Sequence, residues 1–154
     1  MQQPTLPPIP PHLRDAFGPG AYASHQAWCR AAHKECGHDP VWAMPLRLEA
    51  AGRIFDGCNL AGAWLVRANL AGASFRDARL DGAILRAASI QSAIMVGANL
   101  QYADLQCAKL IGATFIDANL AGASLNGADC TACNFTRAYM AGVAMVGTRT
   151  AGAI

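Results

Sequence analysis

The chain has 154 residues and a formal net charge of +2, and 53% of its residues are hydrophobic although only 14% are charged. This length suits a single domain of ordinary size. The longest uncharged run, residues 87–103, is shorter and more polar than the roughly 20 apolar residues that a membrane helix needs. The N-terminus lacks the basic start and apolar core of a secretory signal. We therefore expect a cytoplasmic protein that makes no contact with a membrane.

The charges are spread evenly along the chain. Residues 1–52 carry four basic and four acidic side chains, and residues 53–152 carry eight basic and six acidic ones. Nucleic-acid-binding proteins usually concentrate Lys and Arg on one stripe or one helix. The sequence has neither such a stripe nor an acidic run, so we expect no nucleic-acid partner.

Two segments precede the repetitive part of the chain. Residues 1–20 hold six of the eight prolines, which predicts an extended, flexible arm because Pro fixes φ and lacks a backbone donor. Residues 21–35 are rich in helix formers, and Pro45 suits the first position of a second short helix. We therefore predict that residues 21–52 form an α-helical N-terminal cap.

Five potential metal ligands lie close together in this cap: His25, Cys29, His33, Cys36 and His38. Positions i and i+4 share a helix face, and Zn²⁺ is well served by His and Cys. The spacing matches no standard zinc module, however, and packing within the cap is the simpler role. We therefore predict no metal or cofactor, and these five residues are only weak candidates for a metal site.

Residues 53–152 repeat every five positions. In twenty consecutive units the central residue is Leu, Phe, Met or Ile in eighteen, and the residue two positions before it is Ala in fifteen. This period matches neither the helical period of about 3.6 residues nor the strand period of about 2. The chain must therefore turn at regular intervals and direct every fifth side chain to a common axis.

A second period of twenty residues appears among the large central residues. Its members are Phe55, Phe75, Met95, Phe115 and Phe135. Four units per coil would stack these side chains directly over one another, as a core ladder. We therefore predict an all-β solenoid of about five coils over residues 53–154.

Units such as ANLAG, ASFRD, ADLQC and ASLNG closely resemble the pentapeptide-repeat family, and the resemblance covers residues 53–152. It implies a right-handed quadrilateral β-helix with four pentapeptides per coil. It also implies that the central residue and the small residue two before it point inward, while the other three positions face solvent. A bacterial origin is a further implication of the resemblance.

The inward positions also receive three of the six cysteines, Cys58, Cys130 and Cys133. Cys in such a position behaves as a small hydrophobe. Because no secretion signal is present, we expect reduced thiols.

The last coil has no evident cap, since the chain stops at Ile154, two residues after the final unit. An uncovered edge invites pairing with another chain, and Met is common at adaptable apolar interfaces. We therefore expect a homodimer through the C-terminal coil, with Met140 and Met145 in its interface. A frayed, monomeric last coil is the alternative.

No catalytic arrangement is visible in the repeats. Their six Asp residues are scattered over different faces, and the sequence has no His after His38. General acid–base or nucleophilic catalysis would need a base beside a nucleophile. We therefore expect that the protein is not an enzyme.

Several large apolar residues fall on positions that the repeat directs outward. They form two groups: Ile94, Val96, Ile111 and Ile116 near the Phe face, and Trp64, Val66 and Ile84 on another face. Contiguous exposed apolar side chains suggest partner contacts. The sequence therefore favours a non-enzymatic scaffold that presents rigid faces to a protein partner.

Two other functions stay open at this point. The family resemblance suggests a DNA-mimicking protector of DNA gyrase, but such mimicry needs an acidic surface and the repeats are weakly basic. The His and Cys residues of the cap suggest a metal-binding regulatory module, with less support still.

Overall fold

The computed structural model describes residues 51–154, which lie within one compact unit, Leu48–Ile154. The arm predicted for residues 1–20 lies outside the described residues. So does the helical cap predicted for residues 21–52, apart from its last two residues, which belong to a turn. Both stay predictions, as do the five metal-site candidates in the cap.

The described residues form a β-solenoid with a register of twenty residues. They contain no helix and no continuous strand, and every fifth residue from Ile54 to Arg149 forms an isolated parallel bridge. Each bridge joins a residue to the one twenty positions later, as in Ile54 to Ser74 and Ser74 to Ile94. The bridges therefore form four columns, one on each side of the solenoid.

The four columns serve below as names for the four faces. The first is Ile54, Ser74, Ile94, Thr114 and Asn134; the second is Asn59, Arg79, Asn99, Asn119 and Tyr139; the third is Trp64, Ile84, Asp104, Ser124 and Ala144; the fourth is Asn69, Ser89, Lys109, Asp129 and Arg149. One residue from each column, in chain order, makes up one level of the solenoid.

Backbone hydrogen bonds between levels repeat in every unit. In the first column the N–H of Ser74 donates to the carbonyl of Arg53 at 2.9 Å, and the N–H of Phe75 donates to the carbonyl of Ile94 at 2.7 Å. The N–H of the bridge residue thus bonds to the level before, and the N–H of the next residue bonds to the level after. Because buried backbone groups must be paired, this pattern fixes the register along the whole described solenoid.

Each corner is a four-residue turn whose third residue is left-handed. The N–H of Ala78, for example, donates to the carbonyl of Phe75 at 3.1 Å, and Asp77 between them has a φ of 56°. A positive φ at this position is the signature of a type II turn, which favours Gly. Twelve of these positions hold Gly and nine hold other residues, so more than a third of the corners carry a side chain in a strained conformation.

The core consists of the large central residues and the inward Ala residues. Phe75, Met95 and Phe115 are at most 1% exposed, and the inward Ala residues from Ala63 to Ala128 are equally buried. The Phe55 and Phe75 rings stack with centroids 4.9 Å apart, and Phe115 stacks on Phe135 at 5.0 Å. Each large buried side chain contributes about 1.5–3 kcal/mol.

Asn and Asp at bridge positions satisfy a backbone group that the ladders leave unpaired. The N–H of the second residue of each turn has no carbonyl acceptor in the repeating pattern. Where the bridge residue is Asn or Asp, its side-chain oxygen accepts this bond, as Asn119 Oδ1 does from Ala121 N–H at 3.1 Å. This is the familiar Asx-type bond to the backbone two residues on. It gives a physical reason for the frequent Asn and Asp in these units.

Replacing Asn119 by Ala should lower the free energy of unfolding by about 1 kcal/mol, since the Ala121 N–H then loses its acceptor. Replacing Asn119 by Asp keeps an acceptor oxygen and should cost less. Urea denaturation of the full chain measures both variants. Equal losses would contradict a role for the turn bond and would point to the amide group itself.

Candidate interaction surface

Several charged side chains of the described solenoid form surface ion pairs. The guanidinium of Arg137 donates two hydrogen bonds to the carboxylate of Asp117 in the neighbouring level, from Nε at 2.6 Å and from Nη2 at 2.7 Å. Arg86 binds Asp104 across the same kind of step. These pairs link neighbouring levels on the outside of the solenoid, where each contributes little because the arginine side chains are at least half exposed to solvent.

Two carboxylates have a pKa below the usual range. The hydrogen bond from Arg137 lowers the pKa of Asp117. The hydroxyl and backbone N–H of Thr131 lower the pKa of Asp129. A general acid or a proton-sharing base at neutral pH needs the opposite shift. Both carboxylates are therefore suited to structure and solubility.

Within residues 51–154, no cluster of three or more His, Cys, Asp or Glu side chains could hold a metal ion.

The residues predicted for an interface differ in how exposed their side chains are. Six of them are half-buried: Val66, Ile84, Ile94, Val96, Ile116 and Met140. Ile111 and Met145 are exposed, at 41% and 36%. The sequence-based expectation that Trp64 is exposed is wrong, because this side chain is only 8% exposed. The repeat determines that a bridge residue points outward, but it does not determine how much of a large aromatic ring stays exposed. Burial of such a ring is strongly favourable.

An apolar patch lies on the first face. It consists of Ile94, Val96, Thr114 and Ile116. Ile94 bridges Thr114, and the N–H of Gly97, which follows Val96, donates to the Ile116 carbonyl at 2.9 Å. All four side chains are half-buried, and they belong to two adjacent levels. We call this set the first-face patch; Ile111 stands at the corner that leads into it.

Charged residues border the first-face patch on both sides. The level before it carries Arg76 and Asp77, and the level after it carries Arg137, which is paired with Asp117. An apolar centre with a polar rim is the usual anatomy of a protein-binding site. The patch has this anatomy on a small scale.

A second group of exposed apolar side chains lies in the last described level. It consists of Tyr139, Met145, Val146 and Ile154, which are 36–79% exposed. The N–H groups of Met140, Met145 and Thr150 donate no backbone hydrogen bond within residues 51–154. This end of the solenoid therefore presents both apolar surface and free hydrogen-bond donors.

Sequence reasoning missed several exposed aromatic and aliphatic residues, among them Ile54, Tyr102 and Tyr139. Tyr102 is 73% exposed, and its ring lies so close to Gly122 that a Cβ there would come within 2.6 Å of it. The signal was available, since Tyr102 occupies a left-handed turn position where most units have Gly. A large residue at such a position must project outward and cover its neighbour.

These observations define a class of protein. Four columns of parallel bridges, a twenty-residue register and an Ala/Leu/Phe core make the chain a repeat protein of the β-solenoid class. The model for pentapeptide repeats matches it in eight copies, over residues 54–91, 85–115 and 113–149. The chain belongs to the pentapeptide-repeat family, whose fold is a right-handed quadrilateral β-helix.

Solved structures agree with this assignment. A pentapeptide repeat protein, Rfr23, from the cyanobacterium Cyanothece 51142 is 24% identical with a TM-score of 0.60, over 69% of this chain and 90% of that one. A pentapeptide repeat protein from the thylakoid lumen of Arabidopsis thaliana is 30% identical with a TM-score of 0.51, over 68% of this chain and 66% of that one. No curated protein matches in sequence.

The family and these neighbours are generally non-enzymatic structural or interaction proteins. In the part of the chain that the structure describes, no helix is long and apolar enough to cross a bilayer.

Proposed function

We propose that this chain is a non-enzymatic scaffold that presents the flat faces of its β-helix to a protein partner. The observation that carries the proposal is the first-face patch, an apolar centre with charged borders on a rigidly bonded surface. Repeat solenoids present extended surfaces of this kind to their partners. Because its backbone is already ordered, such a face loses little conformational freedom on binding.

The described titratable groups support a non-enzymatic role. Asp117 and Asp129 are held in the charged form by their hydrogen bonds, as their lowered pKa values indicate. Asp129 accepts a hydrogen bond from the Thr131 hydroxyl at 2.6 Å, but a carboxylate with a lowered pKa is too weak a base to activate that hydroxyl. A binding surface is the function that the remaining side chains fit.

Site-specific photo-crosslinking tests the scaffold proposal. A benzophenone side chain at Val96 lies in the first-face patch, and one at Gln101 occupies the same half-buried turn position on the next face. We expect discrete cross-links to a protein from position 96 and none from position 101. Ile116→Asp should remove those cross-links without unfolding the protein, because Ile116 is only half-buried.

The cross-linking experiment can also contradict the proposal. Identical products from positions 96 and 101 would mean that contact is unspecific and that the patch is only packing surface. Loss of cross-links in the Ile116→Asp variant counts only if circular dichroism shows an intact fold.

We also propose a homodimer through the C-terminal end of the solenoid. The exposed Tyr139, Met145 and Val146 and the free donors beside them support this arrangement. Light scattering on the full chain should give twice the chain mass, and Met145→Lys should reduce it to the monomer mass. Gln101→Lys on the second face is the control and should leave the dimer intact. A monomer for the unmodified chain would overturn the proposal.

Two finer points of architecture are part of the proposal. We propose that residues 53–152 complete five coils and that residues 21–52 form an α-helical N-terminal cap. Chemical shifts of residues 21–35 in the full chain test the cap, since helical shifts are expected there.

Protection of DNA gyrase has no support among the described charges. Residues 53–152 carry eight basic and six acidic side chains, whereas mimicry of DNA needs an acidic surface. A supercoiling assay with a quinolone would detect such protection. Zinc content of the purified protein tests the metal-binding alternative for the cap.

A further inference from the structure

Cys130 and Cys133 stand at the two ends of one turn. The N–H of Cys133 donates to the carbonyl of Cys130 at 3.0 Å, and both side chains point into the core with 0% exposure. A β-turn brings its first and last Cα atoms within about 7 Å. Disulfides join Cα atoms about 4.4–6.8 Å apart, so this turn has the span that a disulfide needs.

The two thiols interact with each other within the core, since each shifts the pKa of the other. Cys133 in turn donates from Sγ to the carbonyl oxygen of Leu110 at 2.9 Å, in the level before. The other described cysteines differ, because Cys107 is exposed and Cys58 lies at a different turn, so neither shares a turn with a second thiol.

The pair is also chemically unequal. The hydrogen bond from Cys130 lowers the pKa of Cys133, whereas the same contact, together with burial, raises the pKa of Cys130. Of the two thiols, Cys133 is therefore the one that loses its proton more readily, and in doing so it gives up its hydrogen bond to the Leu110 carbonyl. Thiolates are the reactive form of Cys towards oxidants.

We propose that Cys130 and Cys133 form an oxidation site, in which hydrogen peroxide converts the two thiols into a disulfide within the turn. The Cys133 thiolate attacks the peroxide, an S–O bond forms as the O–O bond breaks, and the released hydroxide takes up a proton to give water. The Cys130 sulfur then attacks Cys133 Sγ; the S–S bond forms, the S–O bond breaks, and the departing hydroxide takes the Cys130 proton. The two thiols lose two electrons, which reduce one peroxide to two waters.

The pair lies close to the open end of the solenoid. The next member of its column towards that end, Thr150, is exposed, and Phe135 is half-buried. One level therefore separates these sulfurs from solvent, and opening of that level admits a small peroxide. The disulfide would tie the fourth face of one level to the start of the next and oppose further opening.

Peptide mapping of the full chain tests the proposal. Trypsin cleaves after Lys109 and Arg137, and the peptide 110–137 between them contains these two cysteines and no other. Cys107 falls in the preceding peptide, 87–109. After peroxide treatment and alkylation we expect the peptide 110–137 to be about 2 Da lighter than its thiol form and to carry no alkyl group. Dithiothreitol should restore two alkylation sites.

Two variants make the result specific. Cys133→Ala introduces the residue found at this inward position in fifteen of the twenty units, so the fold should persist; Cys130 should then stay open to alkylation after peroxide. Cys107→Ala removes the exposed thiol and should leave the mass loss in peptide 110–137 unchanged. Two alkyl groups on the peptide 110–137 of the peroxide-treated chain, while Cys107 is oxidised, would overturn the proposal. So would a mass loss that requires Cys107.

Discussion

Phe115→Ala should lower the free energy of unfolding by about 3–5 kcal/mol, the usual range for a large buried aromatic side chain. Phe115 is fully buried, and its ring stacks on Phe135 at 5.0 Å with an interplanar angle of 11°. Its removal deprives Phe135 of this partner and leaves a cavity at the level of Thr114. The rigid ladder of hydrogen bonds on either side limits collapse into that cavity. Urea denaturation of the full chain measures the loss.

Two further variants identify the cause of this loss. Phe115→Leu places the commonest central residue of the repeat in the column and should cost only about 1–1.5 kcal/mol. Phe135→Ala should cost less than Phe115→Ala, because Phe135 is only half-buried. If Phe115→Ala were as stable as Phe115→Leu, the column could not be tightly packed.

Gly122→Ala should lower the free energy of unfolding by about 2 kcal/mol, the upper end of the cost of a left-handed conformation for a residue with a Cβ. Gly122 has a φ of +67°, and an added Cβ would also come within 2.6 Å of the Tyr102 ring. The ring must therefore swing away from the turn that it covers. Thermal and urea denaturation of the full chain measure the effect.

The turns offer matched controls for this prediction. Gly82→Ala has a similar φ, +65°, and nothing within 4 Å of the added Cβ, so only backbone strain should remain, about 1 kcal/mol. Ala87→Gly reverses the change at a position with a φ of 54° and should raise the stability by about 1 kcal/mol. A destabilised Ala87→Gly variant would mean that the left-handed turns are not strained.

The repeat made the fold predictable from sequence to an unusual depth. The spacing of Phe55, Phe75, Phe115 and Phe135 implies a twenty-residue register, and the bridges have that register. This inference needed no detailed energetics, since a period of five residues excludes both a regular helix and a single long strand. The family followed from the same units.

Side-chain contacts outside the core were less predictable. The pairing of Arg137 with Asp117 depends on a separation of twenty residues between two outward positions, whereas the repeat pattern relates only the core positions at that separation. The burial of Trp64 was not predicted, because the repeat fixes the direction of a side chain but not how far neighbouring atoms cover it. Cys130 and Cys133 were correctly predicted to point inward, but the turn that joins them, closed by the hydrogen bond from the Cys133 N–H to the Cys130 carbonyl, was not predicted.

The fixed bridge register has a consequence for how such a chain changes over evolutionary time. Loss of one codon inside the repeats would put every pair of bridge partners that straddles the deletion out of phase, because their spacing would fall from twenty residues to nineteen. Duplication or deletion of a whole block of twenty codons would leave every phase intact. Because each level contacts only its neighbours, the new junction would look like any other. Gene lengths in this lineage should therefore differ mainly by multiples of one complete circuit of the four faces.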